Sequence, residues 1–490
     1  MPVLIVVSDV RQWPLTIPNV EVVDARSYLT RPEYSGLRSI KLFNLCRSYR
    51  YQTVGYYVSL LAEARGHKPL PNVTAIQDLK NQAIVRLVSS ELDELIQKSL
   101  APLQRDRFTL SVYFGRNLAK RYDRLATNLF NLLPVPLLRA QFVRDKQWQL
   151  RSLSAISASE VPQSHHPFLM EVASQYFAGR AGRVRRRVRT RYDLAMLCNA
   201  GDPEPPSDEK ALARFVKAGE SMGLAVEQIG RDDYARLAEF DALFVRETTA
   251  VNHFTYRFAR RATGEGLVVM DDPESIVRCA NKVYLAELLS RYNLPTPQTM
   301  IVHRGNICEV AERLGVPCVL KKPDSAFSLG VTKVECEEEL CRKLKRLLED
   351  SDLVVAQEFL PTTFDWRIGV LDRRPLFACK YHMAPNHWQI VRRDHNGNHR
   401  YGRVETLPVE LAPPRAVRVA MKAANLVGDG LYGVDVKQSG REFYVIEVND
   451  NPNIDAGVED AVLKGELYRR IMSVFLRRIE QRKGWPATHE

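Results

Sequence analysis

Two carboxylates and a carboxamide converge near the C-terminal end of this chain. Gly433-Val434-Asp435 is followed by Glu447-Val448-Asn449-Asp450-Asn451-Pro452, with Ser439-Gly440 between them. Ser-Gly between two apolar runs signals a tight hairpin. Side chains alternate along a strand, so Glu447 and Asn449 share one face while Ile446 and Val448 take the other. Asp435, on the partner strand, reaches the first face. Hard oxygen donors of this kind hold Mg²⁺ beside a phosphate. The same alternation also fits the solvated face of an antiparallel hairpin, so other motifs must decide.

Three upstream segments bear on that choice. Asn281-Lys282 lies on a helix ahead of Asn293-Leu294-Pro295. In Pro317-Cys-Val-Leu-Lys321-Lys322 an apolar strand ends in lysine and passes into the small-residue loop Ser325-Ala-Phe-Ser328-Leu-Gly330. Backbone N–H groups of such a loop can cradle phosphates while a lysine supplies charge. Leu353-Val-Val-Ala-Gln357-Glu358-Phe359-Leu360-Pro361 is a buried strand opening into a proline turn, and Asp365-Trp366-Arg367 follows. Asp365 and Arg367 share a strand face, where Arg367 suits a phosphate or carboxylate and a cross-strand ion pair equally.

In order and spacing these segments resemble the ATP-grasp fold, specifically the RimK-type glutamate ligases. The resemblance covers about residues 190–480. It rests on Lys282, Lys321 with its loop to Gly330, Gln357-Glu358-Phe359-Leu360, Asp365-x-Arg367, Gly433-Val-Asp435 and Glu447-Val-Asn449-x-x-Pro452. Residues 1 to about 180 resemble the extra N-terminal domain of some RimK-like ligases. The resemblance implies that Lys282 and Lys321 grip the phosphates of ATP under a lid made by Ser325, Ser328 and Gly330. Gln357, Glu358, Phe359 and Leu360 would surround adenine, with Asp365 also on the nucleotide. Asp435, Glu447 and Asn449 would hold two Mg²⁺ ions, Mn²⁺ being an alternative. Arg367, Lys321 and Lys380 are the candidate catalytic residues; Arg246, Arg367 and Asn451 are the candidate substrate contacts. The loop departs from the family's glycine-rich form, since Ser325, Ala326 and Ser328 stand where glycines are common and Phe327 is bulky.

The implied activity is an ATP-dependent carboxylate–amine ligation through an acyl phosphate, with glutamate the favoured amino acid and a peptide, protein or small-molecule acceptor. Two alternatives stay open: a ligase of the same fold joining other amino acids, and an RNA- or ribosome-associated binding protein with a degenerate nucleotide site. Retention of every phosphate lysine and metal ligand weighs against degeneracy. The resemblance also implies a homo-oligomer. The acceptor, the number of residues added and the role of the N-terminal domain are not set by the sequence.

These residues must be positioned by a mixed α/β chain of several domains. Four segments are expected: residues 1–180, an N-terminal α/β domain; 181–191, an arginine-rich linker; 192–272, a small parallel-sheet domain; and 273–484, a two-lobed catalytic domain. In the first, Val3–Val7, Val20–Val23 and Thr109–Phe114 read as strands; 38–65, 75–99 and Tyr122–Leu133 read as helices. After the linker, strands at Tyr192–Asn199, Leu224–Ile229, Asp241–Arg246 and Leu267–Asp271 alternate with helices, the pattern of a parallel sheet. Arg246-Glu247-Thr248-Thr249 then occupies a loop at a strand's C-terminal end, where α/β sheets bind ligands. A helix is expected from Pro273 to about Asn293. No internal repeat is apparent.

Composition sets the outer bounds. The 490 residues exceed one ordinary core, and 45% hydrophobic with 26% charged residues is a globular balance. No window approaches the roughly 18 apolar residues of a membrane span, and Met1–Asp9 reads as a first strand rather than a signal peptide. Eight scattered cysteines without a Cys-x-x-Cys pair fit a reducing cytoplasm and no structural zinc. Seven arginines between Arg180 and Arg191 raise the net charge toward +12. Without interleaved aromatics, that run reads as a solvated linker or a surface for acidic ligands rather than a specific nucleic-acid site.

Overall fold

The structure is a computed structural model that describes all residues except 1–2, 14–16, 18–19, 38–39, 182–189, 200, 203, 325–329, 394–398 and 484–490. Most of the arginine run, and Ser325 and Ser328 of the expected phosphate lid, lie outside the described residues. The chain forms two compact units, Met1–Tyr192 with Asp232–Phe240, and Asp193–Arg231 with Asp241–Glu490.

The first unit opens with a parallel sheet of β1 (Val3–Val7), β2 (Val20–Asp24), β3 (Lys41–Asn44) and β4 (Lys68–Leu70), ordered β2-β1-β3-β4. Residues 38–65 are not one helix. Leu42 and Phe43 are fully buried as β3 pairs with β1, and the helix starts only at Val54. A short apolar run satisfies either structure, and pairing with β1 decides it. Residues 75–99 likewise divide among helices Val73–Asp78, Gln82–Glu91 and Asp93–Leu100. An antiparallel sheet follows, β5 (Arg107–Tyr113), β6 (Leu137–Arg144) and β7 (Trp148–Ala155), whose Leu110, Val112, Leu138 and Phe142 join the core of this unit.

The second unit opens the same way. Strands β8 (Tyr192–Leu197), β9 (Leu224–Ile229), β10 (Ala242–Val245) and β11 (Val268–Met270) are ordered β9-β8-β10-β11. The expected helix from Pro273 to Asn293 breaks into Pro273–Ala280 and Lys282–Arg291, because the Asn281 side chain caps the second by accepting from the N–H groups of Val283 and Tyr284. Next come β12 (Thr299–Val302), β13 (Cys318–Lys321), β14 (Val331–Val334) and β15 (Val354–Glu358), an antiparallel sheet ordered β12-β15-β13-β14. Helix Glu337–Asp350 buries Leu340, Leu344 and Leu348 against one face of it. The last large sheet contains β16 (Phe364–Leu371), β17 (Arg374–His382), β20 (Val404–Leu407), β21 (Leu431–Ser439) and β22 (Glu442–Asn449), ordered β20-β17-β16-β21-β22. The small hairpin of β18 (Val391–Arg393) and β19 (His399–Tyr401) interrupts it. Helix Pro414–Val427 lays Ala416, Ala420, Ala423 and Ala424 on its back.

An internal repeat exists after all. Helices Val54–Ala64 and Phe254–Gly264 are each followed by a glycine at positive φ (Gly66, +70°; Gly266, +77°), then by β4 and β11. The backbone N–H groups of His67 and Leu267 close on Ala62 and Ala262 at 2.9 Å in both copies. Asn72 and Asp272 cap the next helices, and helices Gln82–Glu91 and Lys282–Arg291 come after. Between 51–81 and 251–281 only Tyr56/Tyr256, Ala62/Ala262, Gly66/Gly266, Ile76/Ile276 and Asn81/Asn281 are identical. Backbone geometry and burial pattern persist where residue identity has not, which is why the repeat escapes a reading of the sequence.

Candidate active site

Three strands align the charged residues. Arg367 on β16 pairs in register with Asp435 on β21, and Asp435 with Glu447 on β22. Arg367 donates to both Asp435 oxygens, Nε to Oδ1 at 2.7 Å and Nη2 to Oδ2 at 2.8 Å. Such a fork fixes both planes. The Asp435 carboxylate holds Arg367 well above the ordinary guanidinium range, outweighing burial. Asn449 donates from Nδ2 to Asp435 Oδ2 at 3.3 Å and to the Gly433 carbonyl at 3.2 Å. Gly433 has no alternative here, since a Cβ would stand 2.7 Å from Pro452 Cβ.

Two lysines face this row. Lys282, in the first turn of its helix, places Nζ 3.0 Å from Glu447 Oε1. Its own N–H donates to the Pro323 carbonyl at 2.9 Å, and Asn281 Nδ2 donates to Asp324 at 2.8 Å, so Pro323 and Asp324, which follow β13, are tied to this helix. Lys321 ends β13, and its Nζ donates to Gln357 Oε1 at 2.8 Å, while Gln357 donates to Thr299. Burial pushes the Lys321 ammonium down to about 8, with Glu447 opposing that shift. Burial alone would raise the Glu447 carboxyl, but Lys282 and Lys321 hold it below the usual range.

An open cleft lies over these groups, with Lys282, Lys321, Asp435 and Glu447 in its lining. Gln357, Glu358, Phe359 and Leu360 line it, along with Val319, Val331, Trp388 and Ile390, which make an apolar wall fit for a planar base. Phe359 and Trp388 meet edge to face at 5.8 Å. Asp365 also lines the cleft; burial raises its carboxyl, and Lys437, donating to it at 2.7 Å, opposes that. Gly330, immediately before β14, sits at φ +75°.

The structure changes three expectations. Lys380 pairs across the sheet with Trp366 and lies over the Trp366 and Phe364 rings at 5.3 and 5.4 Å. Strand alternation therefore sends it to the face opposite Asp365 and Arg367, away from the cleft. Arg246 is 1% exposed, and its guanidinium is spent on protein acceptors: Asn451 Oδ1 at 2.7 Å, Ser207 Oγ at 2.8 Å, and the carbonyls of Pro206 and Pro452. Asn451 in turn donates to the Glu247 carbonyl at 2.7 Å. Both residues clamp the turn after β22 to the end of β10 rather than offering charge to a substrate. Finally, Ile446 does not face away from Glu447. A bulge lets Asp435 pair with Glu447 while Val436 pairs with Val445, and Ile446 and Glu447 both line the cleft.

Lys437 escaped the sequence reading, although Asp435-x-Lys437 alternation signals it. Tyr381 did too: register with Asp365 puts it on the site face, where its ring lies 4.9 Å from the Arg367 guanidinium and its hydroxyl donates to Glu459. Among the described residues no group of three His, Cys, Asp or Glu side chains forms a metal cage. Asp435 and Glu447 in register, with Asn449 two residues along the same strand as Glu447, fit an oxygen-seeking divalent ion that also takes oxygens from phosphates. Among the described residues no helix is long and apolar enough to cross a membrane.

Comparison with known proteins gives matches to both units. The family description "RLAN: RimK-like ATPgrasp N-terminal domain" matches residues 25–172, and "RimK: RimK-like ATP-grasp domain" matches 279–464. The alpha-aminoadipate–LysW ligase LysX of Saccharolobus solfataricus is 27% identical over 195 residues, 38% of this chain and 67% of that protein. A protein named "Probable alpha-L-glutamate ligase" from Marinomonas sp. is 23% identical over 287 residues, 55% of this chain and 90% of its own. Among solved structures, D-alanine–D-alanine ligase from Bacillus anthracis aligns at a TM-score of 0.45 and 16% identity, covering 59% of this chain and 99% of that one.

Proposed function

The chain belongs to the RimK-like ATP-grasp ligases, enzymes that form carbon–nitrogen bonds, and from that premise we propose that it joins a carboxylate to an amine, with glutamate the favoured amino acid. The observation that carries this reading is the in-register row Arg367–Asp435–Glu447 with Lys282 and Lys321 opposite, beneath an apolar-walled cleft. The base of ATP fits between Phe359, Val319, Ile390 and Ile446, and its phosphates reach the two lysines. Asp435, Glu447 and Asn449 would hold Mg²⁺, which supplies charge neutralisation at the phosphate oxygens.

The protein's part is positioning and electrostatics. A substrate carboxylate oxygen attacks the γ-phosphorus, the bond to the β-phosphate oxygen breaks, and ADP departs. Lys282, Lys321 and Arg367 neutralise the charge that gathers on the transferred group. The amine then attacks the acyl carbon, phosphate leaves with the C–O bond electrons, and the amine gives up a proton to yield the amide. Peptides, proteins and small amino acids all remain acceptors compatible with this geometry, and we place the boundaries of the catalytic domain at 273–484 on the same reading.

The test is incubation of the purified protein with Mg-ATP and pools of amino acids and peptides, with phosphate release and product mass measured together. Amino-acid-dependent phosphate release with a product heavier by one residue supports the reading. Failure to bind ATP, or ATP turnover that never yields a coupled product with any pool, sinks it.

A further inference from the structure

Charge divides unevenly along the chain. Residues 1–192 carry 29 Lys and Arg against 14 Asp and Glu, whereas the remaining residues carry 41 against 44. The whole positive excess therefore belongs to the N-terminal part, and without the seven arginines of the run it persists at 22 against 14. Such asymmetry points to a polyanionic partner. One described place brings cations together with exposed rings. The connection from β3 to helix Val54–Ala64 reads Arg47-Ser-Tyr49-Arg50-Tyr51-Gln-Thr53. Arg47, Arg50 and Tyr51 are exposed, Tyr51 to 66%. Neither arginine side chain has an ion-pair partner among the described residues. Lys80 joins them, its Nζ donating to the Tyr49 carbonyl at 3.1 Å. The Tyr51 ring meets Tyr56 edge to face at 5.2 Å, and Tyr56 meets Tyr57 in the same way at 5.7 Å. These contacts prop Tyr51 in place and leave a face of its ring open to solvent.

The connection is built to hold this shape. The Arg47 N–H donates to Ser8 Oγ at 2.8 Å, and Thr53 Oγ1 to the Arg50 carbonyl at 2.7 Å. Gln52 sits at φ +63°, a conformation that residues with a side chain seldom adopt. Gly55 admits no side chain, since a Cβ would stand 2.3 Å from the Ser48 carbonyl oxygen. Groups ordered in advance lose less freedom on binding. The second copy of the repeat shows that the module does not require these residues. Its connection reads Thr248-Thr-Ala-Val-Asn-His253, with no arginine, lysine or tyrosine, and leads into a helix of the same length. Cations around an open tyrosine face match a nucleic-acid strand, whose phosphates meet the charges while a base stacks on the ring. The strand must be unpaired, because bases inside a duplex have both faces covered. An acidic protein offers carboxylates to the cations but no planar group to cover Tyr51.

We propose that Arg47, Arg50, Tyr51 and Lys80 form a binding site for single-stranded nucleic acid, engaged without sequence preference. The test is fluorescence anisotropy of the full-length protein with a short labelled RNA of mixed sequence, and with the DNA of the same sequence, each over a salt series. The native chain binds, with an affinity that falls steeply as salt rises. Tyr51→Ala raises the dissociation constant about tenfold, whereas Tyr51→Phe, which keeps the ring, binds as the native chain does. Arg47→Gln with Arg50→Gln lowers the salt slope by about 1.4. Melting temperatures stay at the native value in all three. Equal binding of RNA and DNA identifies stacking and phosphate contact alone, tighter binding of RNA adds a contact to the 2′-hydroxyl, and either supports the site. Absence of binding at low salt overturns it. Binding that Tyr51→Ala and the double arginine variant both leave intact also overturns it, by assigning the contact to the arginine run. A polyglutamate chain that displaces the RNA as well as unlabelled RNA does, charge for charge, has the same consequence, because carboxylates cannot stack.

Discussion

At the strand ends of the first parallel sheet stand Ser8, Leu45, Cys46 and Pro71; the second sheet carries Asn199, Arg246, Glu247 and Asp271 in those places. The match is set by backbone geometry, since Leu45 donates to the Val6 carbonyl and Arg246 to the Leu197 carbonyl, each at 2.8 Å. The first copy is closed by its own network. Asn44 donates to the Gly55 carbonyl and Ser59, and Ser59 to the Pro71 carbonyl. The second copy buries carboxylate oxygens of Glu247 and Asp271 without a hydrogen-bond partner among the described residues. Burial, followed by the nearby Asp450, raises the Asp271 carboxyl well above its ordinary range. The following helix begins with Gln82 in one copy and Lys282 in the other. The module thus folds without charge at its ligand end, and its charged residues in the second copy are additions rather than requirements of the sheet.

That contrast can be tested in order of expected effect. Glu447→Gln removes a carboxylate with no counterpart in the first unit; turnover falls by about 10³-fold while the melting temperature holds, measured by coupled phosphate release and calorimetry. Lys282→Gln gives the second copy the first copy's residue and lowers turnover by about 10²-fold, whereas Gln82→Lys leaves it unchanged. Equal loss from both substitutions would break the comparison. Arg246→Leu imports Leu45, and because it strands the Asn451 side-chain oxygen and the Pro452 carbonyl, while Pro206 keeps the Ile454 N–H, stability drops by about 3 kcal/mol in urea titration.

A pH profile sharpens the reading of Lys321. Its ammonium, held down to about 8 by burial, is charged below that pH and neutral above it. The kcat/KM for ATP, which reports the free enzyme, therefore declines as pH rises through about 8. Lys321→Arg moves that limb upward; a profile unchanged by the substitution would remove Lys321 from the phosphate site. The smallest effect belongs to Lys380→Ala, which changes turnover by no more than about twofold, since that side chain lies on the opposite face from Arg367.

The catalytic half was readable in the chain because its chemistry is local in sequence. Asp435, Glu447 and Asn449 lie on adjacent strands of one hairpin, and period-two alternation brings them together whatever surrounds them. Lys321, Gln357 and Arg367 are likewise each presented by a single strand. What depended on neighbours was not readable. Lys380 and Cys379 differ by one position, and only the pairing of β17 with β16 tells which of them faces the site. The bulge at Ile446 is an extra residue in one strand, visible only against its partner. Arg246 looked available until the turn at Asn451 and Pro452 filled its hydrogen bonds. The repeat was hidden because burial pattern, not residue identity, is what two copies of a fold must share. Sequence alone determined the donor types and their order along the chain; the tertiary structure decided which faces they occupy and which are already spent, because register, burial and competing partners come from strands and turns distant in sequence.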